Sequence, residues 1–416
     1  MKRNYPQAEA RTQTGKRGED VRSDCYVEIE LKQSGGVKIE LRSKVAAMYG
    51  EAIRKLAQEA LDYACIAHAE VLIEDSGALP FTLSARLETA IRRLLKDDKF
   101  ENTVTSPGVC HPATSKNRLR RTRLYLPGNE PKFFVNAGLH RPDAVILDLE
   151  DSVAPGQKDA ARSLVRHALR SLDFYGAEIM VRINREENGR QDLCATIPHG
   201  AQVILMPKCE SAQGVVSVSR EIEKLRRKHR LSREIFLVPI IESALGVINA
   251  FEIATASDQI CALALGLEDY AADLGVPRTA TEIESLFAKS AIVNSAKAAG
   301  IQALASVYSD LEDTEALRQN AESARALGFE GMGCIHPRQI GIIHEAFAPR
   351  PQEIDKAMRI VVTFEHAQLN GAGVIALGAE MIDMPVVKRA QATIAHALHL
   401  GQINEDWRTS YEPHAD

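Results

Sequence analysis

From Arg121 onward the apolar positions fall in short continuous runs rich in branched side chains, each followed by a stretch of helical periodicity. The runs are TRLYLP, AVILDLE, EIMVRIN, QVILMPK, IFLVPIIE, ICALALG, IQALASVY and GMGCIHP, eight in all. Unbroken apolar runs, as opposed to alternating ones, suit parallel strands covered on both faces. Eight strand–helix units predict an α/β chain built on a (β/α)8 TIM barrel. A doubly wound open sheet would need a glycine-rich phosphate turn after its first strand, and PGNEP after TRLYLP is not one.

A different rhythm precedes the barrel. CYVEIEL, GVKIEL and EVLIED read as strands, with a helix near Lys44–Leu61 and another in SARLETAIRRLL. These elements predict a small α+β domain over residues 24–95, behind a flexible polar tail at 1–23. Residues 96–118, with Pro107, Gly108 and Pro112, read as a linker. The barrel is then expected over 119–350 and a C-terminal helical lid segment over 351–416.

Composition narrows the function classes. At 416 residues the chain exceeds what one core usually serves. Its formal net charge of −5 gives no reason to expect nucleic acid, and the run Arg226, Arg227, Lys228, Arg230 reads as a solvated helix face. No stretch approaches the ~18 apolar residues of a membrane span, and the polar first residues lack the apolar core of a signal peptide. Seven cysteines without a CxxC pair fit a reducing cytoplasm, with neither a disulfide framework nor a structural zinc site.

The ends of the predicted strands carry charge. Asp148, Glu150 and Asp151 follow AVIL, Arg182 closes MVR, Lys208 follows ILMP, Glu242 ends VPII, Glu268 and Asp269 follow LALG, and His336 follows GMGCI. In a barrel these ends converge on one mouth. Each residue alone has a plainer reading: Asp148 or Asp269 as a helix N-cap, Arg182 as an ion-pair partner, Lys208 as rim, His336 as a partner of a loop carbonyl. Together they predict an oxygen-ligated divalent cation, and Mg2+ favours one or two carboxylates completed by water and substrate.

In this order RTRLYLPG, DAVILDLEDSV, VRIN, IIESALG, LGLEDYAADLG, GCIHPRQI and MIDMPVV resemble the citrate lyase β-subunit branch of the HpcH/HpaI aldolase family. That branch includes citryl-, malyl- and citramalyl-thioester lyases, so the resemblance implies a Mg2+-dependent carbon–carbon lyase acting on a 3-hydroxyacyl thioester. It implies that Glu242 and Asp269 hold Mg2+ and that Arg182 faces a substrate carboxylate or thioester oxygen. It places Arg121, Arg123, His336 and Arg338 against the CoA or carrier part of the acyl-thioester substrate. Asp383 becomes the acid–base group, reaching a neighbouring subunit's site in a homo-oligomer (trimer or hexamer). Lys208, Asp148 and Glu150 are expected to orient the site. Two departures stand out: Gly378, Ala379 and Glu380 replace the Asp-Gly-Lys usual before Met-Ile-Asp, and Met332 replaces a frequent lysine.

The segments GVKIELRSKVAAMYGEAIRKLAQEALDY and VLIEDSGALPFTLSARLETAI resemble the acyl carrier subunit of citrate lyase and, more distantly, that of malonate decarboxylase. Such carriers hold a covalently attached phosphoribosyl-dephospho-CoA on a serine within Ser-x-Asp or Ser-Ser-Asp. Here the residues are Arg22, Ser23 and Asp24. A match to Ser-x-Asp puts Arg22 at the attachment position, and a match to Ser-Ser-Asp leaves Ser23. A carrier-like domain also implies a CoA or acyl transferase subunit as a partner. The competing readings are a thioesterase or malate synthase-like activity on the same site, and a non-catalytic carrier-presenting assembly protein.

Overall fold

The computed structural model describes residues 10–97, 100–101, 109, 111–279, 281–369, 374–377 and 380–410. The chain divides into two compact units, 1–340 and 341–416.

The first unit opens with β1 (Arg11–Gly15), β2 (Cys25–Leu31), β3 (Val37–Ser43), α1 (Ala46–Tyr63), β4 (Ala69–Asp75) and α2 (Pro80–Leu95). The strands form one sheet in the order β1-β2-β4-β3, with β3 and β4 parallel and the other pairs antiparallel. Residues of both helices close its core with Val27, Ile29, Val71 and Ile73. β1 lies inside the stretch expected as a tail. Its inward positions are Thr12 and Thr14, so no apolar alternation marks it in the sequence. The expected linker, 96–118, lies partly outside the described residues.

The eight barrel strands are β5 (Thr122–Pro127), β6 (Ala144–Asp148), β7 (Glu178–Arg182), β8 (Val203–Met206), β9 (Phe236–Ile241), β10 (Ala262–Leu265), β11 (Gln302–Ala305) and β12 (Gly331–Cys334). All pairs are parallel, and β12 pairs with β5 to close the barrel. Every run picked out in the sequence supplies one strand. Inward side chains such as Ile146, Met180, Leu205, Val238 and Leu304 fill the interior. No described helix is long and apolar enough to cross a membrane.

α2 is buried along its whole length from Phe81 to Ile91, polar residues included. A helix covered all round is held between two layers. One is its own sheet and the other is the barrel, reached through the helix Lys158–Ser171 and the loop that carries Asn129. Glu88, fully buried, accepts hydrogen bonds from Ser163 Oγ at 3.1 Å and from Arg166, and lies 3.0 Å from His167 Nε2. Arg93 forms a fork on Asp159, at 2.7 and 2.6 Å. Arg86 forms a buried fork on Asp24 at 2.9 and 2.8 Å and also donates to the Asn129 carbonyl at 3.4 Å. The carrier-like domain is therefore fastened to the barrel by buried charge.

The second unit has its own core. The helix Pro351–Leu369 packs on the helix Met384–His399 through Val361, Phe364, Val387 and Ile394, with a two-stranded ribbon of β13 (Ile375–Leu377) and β14 (Glu380–Ile382) between them in sequence.

Burial opposes ionisation of Glu88, but the bond to His167 and the charges of Arg166 and Arg92 pull its carboxyl down to about 2. Burial holds the His167 imidazole below its ordinary value. Glu88→Gln removes one partner from a buried charge network and should destabilise the first unit by about 3 kcal/mol, read from denaturant unfolding. The lowered Glu88 value makes its contribution complete above pH 4.5 and lost as pH falls towards 2. His167 should begin to oppose the docked state below pH 6.5, so thermal stability measured against pH should fall in two steps. A Glu88→Gln variant with wild-type stability and pH profile would remove this network from the account.

Candidate active site

β6 and β7 are neighbours in the barrel, and their register sets Asp148 beside Arg182 at the C-terminal ends. Arg182 Nε and Nη2 donate to the two Asp148 oxygens at 2.7 and 2.8 Å. Burial alone would discourage either charge. The fork outweighs it, holding Asp148 below the usual carboxylate range and Arg182 above its own. Arg182 Nη1 also lies 3.2 Å from Glu150 and 3.4 Å from Asp151, and its guanidinium sits 5.3 Å from the centre of the Tyr125 ring.

Glu242 follows β9 and Asp269 lies in the first turn of the helix Leu267–Leu274, after β10. Both face a cavity of about 330 Å3 at the barrel mouth, with Asp148 and Arg182. The Lys208 amide donates to Glu242 Oε1 at 2.6 Å. Lys208 achieves this with φ +49, a conformation that costs a long side chain energy and marks a constrained position. Its ammonium lies 3.0 Å from Glu150, 3.3 Å from Asp151 and 3.9 Å from Asp269. Gly266 is required on the other side of Glu242, because a Cβ there would sit 2.5 Å from Oε2. Burial, with the Asp269 charge added, pushes the Glu242 carboxyl up to about 7.

The mouth therefore gathers the carboxylates of Asp148, Glu150, Asp151, Glu242, Glu268 and Asp269 against the cations of Arg182 and Lys208, with Arg123 below them at the base of the cavity. Among the described residues no group of three or more His, Cys, Asp or Glu side chains is arranged to hold a metal. Glu242 and Asp269 nevertheless suit a hard cation, since Mg2+ needs only one or two carboxylates with water and substrate. The Glu242 carboxyl is raised first by burial and then by the Asp269 charge, and a cation held between the two would favour its ionised form.

Other expected residues lie elsewhere. Arg121 stands at the N-terminal end of β5, where its amide and guanidinium bind Asp143 at 2.8 to 2.9 Å. The mouth is at the opposite end of the strands, and here Arg121 is engaged in an ion pair with Asp143. Arg123, also expected against the carrier, is fully enclosed at the base of the mouth cavity. His336 and Arg338 follow β12 on the rim, outside the cavity lining, and His336 Nδ1 accepts the Arg338 amide at 3.1 Å. Met332 is completely buried beside Thr122. Ser23 has φ +55, is partly exposed, and donates its amide to the Ser76 carbonyl at 3.0 Å. Asp383 belongs to the second unit, where it caps the helix Met384–His399 by accepting the Val386 amide at 3.2 Å. Positions 378 and 379, where the chain departs from its relatives, lie outside the described residues.

Tyr125 is a cavity-lining position that pattern reading passed over. It lines the cavity among Arg123, Arg182, Asp148 and Glu242, and burial pushes its hydroxyl up. A signal existed: in TRLYLP, Arg123 and Tyr125 are two residues apart and share the inward face.

The model of the HpcH/HpaI aldolase/citrate lyase family matches residues 121–337, and that of the malonate decarboxylase delta subunit matches residues 12–94. The citrate lyase subunit beta of Escherichia coli K12 is 40% identical over 70% of this chain and 97% of its own length. The mitochondrial citramalyl-CoA lyase of Rattus norvegicus is 31% identical over 71% of this chain and 91% of its own. The crystal structure of protein CitE from Mycobacterium tuberculosis, in complex with magnesium, acetoacetate and coenzyme A, superposes with a TM-score of 0.56 at 31% identity, covering 68% of this chain and 99% of that one. With its eight-stranded barrel and acidic mouth, this chain belongs to the HpcH/HpaI aldolase/citrate lyase family, a family of lyases, and carries an acyl-carrier-like domain ahead of its barrel.

Proposed function

We propose that the chain cleaves the carbon–carbon bond of a 3-hydroxyacyl thioester in a Mg2+-dependent reaction, releasing an acyl thioester and a 2-oxo acid. The observation that carries this reading is the excess of carboxylates over cations around Glu242 and Asp269 in one cavity with Arg182. Relatives are named as lyases of citrate and citramalyl-CoA, and the Mycobacterium tuberculosis protein is described with magnesium and coenzyme A.

Glu242 and Asp269 would hold the metal, which, when bound, supplies a Lewis acid for the hydroxyl and carbonyl oxygens. The Lys208 amide keeps Glu242 aimed at that position, and the Lys208 ammonium spaces Glu150, Asp151 and Asp269. Arg182, braced by Asp148, presents a fixed guanidinium to the substrate oxygen where charge develops. Asp383, from the second unit of a neighbouring copy, takes the hydroxyl proton as the carbon–carbon bond breaks and the carbonyl forms, and returns that proton to the carbanion carbon of the acyl thioester. Self-association fits the exposed apolar side chains on the contacting helices of residues 244–254 and 283–298, where Ile248 is 71%, Ile283 68% and Phe287 64% exposed.

A thioesterase reading has one specific support, the (3S)-malyl-CoA thioesterase of Cereibacter sphaeroides at 33% identity over 67% of this chain. In the N-terminal domain Ser23 stays the candidate for a covalent carrier arm, and the intact mass of protein from its native host decides between that arm and free CoA.

Glu242→Ala and Asp269→Ala should each abolish Mg2+-dependent turnover with the barrel still folded by circular dichroism, since losing one of two anionic ligands weakens a hard cation steeply. Near-normal activity in either would remove the metal assignment. Arg182→Lys keeps the charge and loses the two-point fork, so kcat/KM should drop ~100-fold; a change under about threefold would leave Arg182 as a structural partner of Asp148. Asp383→Asn preserves the helix cap, because asparagine caps as well as aspartate. Its melting temperature should hold while kcat falls ~100-fold at similar KM. Mixing Asp383→Asn with Asp269→Ala under demonstrated subunit exchange should restore partial activity. No restoration would return the proton-transfer role to Asp148 or Glu150 in the same barrel.

A further inference from the structure

The base of the mouth cavity holds a charge without a counter-charge. Arg123 is 2% exposed and lines the cavity, yet among the described residues its guanidinium donates a single hydrogen bond, from Nη2 to the Ala305 carbonyl at 2.7 Å. Its Nε has no hydrogen-bond partner. The other buried arginines of the barrel are treated differently. Arg120 binds Glu178, Arg162 binds Asp192 and Arg166 binds Glu88, each through a carboxylate that is itself fully buried.

Among the described residues, the groups around Arg123 supply no anion. Burial depresses its guanidinium, and the neighbours acting on it are Tyr125, Cys334 and Arg120. Burial raises the Tyr125 hydroxyl and pushes the Cys334 thiol up to about 12, so both are neutral near pH 7. Arg120 adds a like charge. Holding one carbonyl at the end of β11 needs only a neutral donor, so the cation itself is left unexplained by the fold. A guanidinium remains charged at any physiological pH, and its fork is matched to a carboxylate. Gly333, the register partner of Arg123 on β12, keeps the base open, since a Cβ there would sit 2.6 Å from Val307 Cγ1 and 3.1 Å from Tyr125 Cε2.

We propose that Arg123 is the specificity residue for a second substrate carboxylate, so that the 2-oxo acid released at this mouth is a dicarboxylate whose distal carboxylate seats on the Arg123 guanidinium. This inference rests on the lyase reading above and chooses within it. A methyl branch would leave Arg123 buried and unpaired in the complex. A carboxymethyl branch neutralises it. The acid is then held at two ends, with Arg182 and the carboxylates above the Tyr125 ring and Arg123 at the base. Discrimination arises as it does in any site built around a buried polar group, because the ligand that lacks the matching group leaves that site group unpaired.

Isothermal titration of the whole protein with oxaloacetate and with pyruvate, both in the presence of Mg2+, tests this directly. The wild-type protein should bind oxaloacetate ~100-fold more tightly than pyruvate. Arg123→Met should erase that preference by weakening oxaloacetate ~100-fold and moving pyruvate less than about threefold. Arg123→Met should also raise the melting temperature of the ligand-free protein, because an apolar side chain replaces a buried charge. A wild-type protein that binds pyruvate as tightly as oxaloacetate overturns the proposal, as does a variant that weakens both acids equally or melts lower than wild type. Wild-type protein that binds Mg2+ but neither acid overturns the lyase reading itself, and the role of Arg123 with it.

Discussion

The fork between Arg182 and Asp148 is the contact on which the mouth depends. It forms because β6 and β7 pair in a register that brings their last residues side by side. It commits two of the Arg182 nitrogens to one carboxylate, so that Glu150 and Asp151 share the third with the Lys208 ammonium, Asp269 lies at the edge of that ammonium's reach, and Glu242 takes the Lys208 amide. The excess of carboxylates is what a divalent cation would correct, and Glu242, raised by burial with the Asp269 charge added, is the group it would hold in the ionised form. Lys208 joins the two halves of the arrangement, with its amide on Glu242 and its ammonium among the other acids. A strained backbone at this residue is consistent with a conformation kept for the sake of that amide.

The carrier-like domain is a second design within the same chain. α2 has lost the exposed polar face expected of an amphipathic surface helix, because Glu88 and Thr89 are enclosed against the barrel. Asp24, next to the residue where a carrier arm would be attached, is locked into Arg86, which also holds the loop after β5 through the Asn129 carbonyl. A free carrier protein would need that surface open to reach successive enzymes. Here it is spent on docking, and the domain braces a loop at the C-terminal end of a barrel strand.

Much of this was legible in the sequence, for definite reasons. Buried parallel strands must be continuously apolar, so the eight runs were visible, and charge directly after an apolar run stood out as mouth chemistry, which is how Asp148, Arg182, Lys208, Glu242 and Asp269 could be named. β1 was hidden because its buried positions are threonines, and Tyr125 because an aromatic residue inside an apolar run reads as core. Arg121 and Arg123 illustrate what sequence cannot separate. They are two residues apart in one strand, yet one pairs with Asp143 at the closed end and the other enters the cavity. Only side-chain direction and the position of a distant aspartate distinguish them.

The central claim is that this mouth breaks a carbon–carbon bond. Its most direct test is product analysis by mass spectrometry after incubating the protein with Mg2+ and citryl-CoA, citramalyl-CoA or malyl-CoA in turn. The account predicts an acyl-CoA together with a free 2-oxo acid, formed only when the metal is present. Free CoA with the hydroxy acid intact would instead show hydrolysis of the thioester and contradict it.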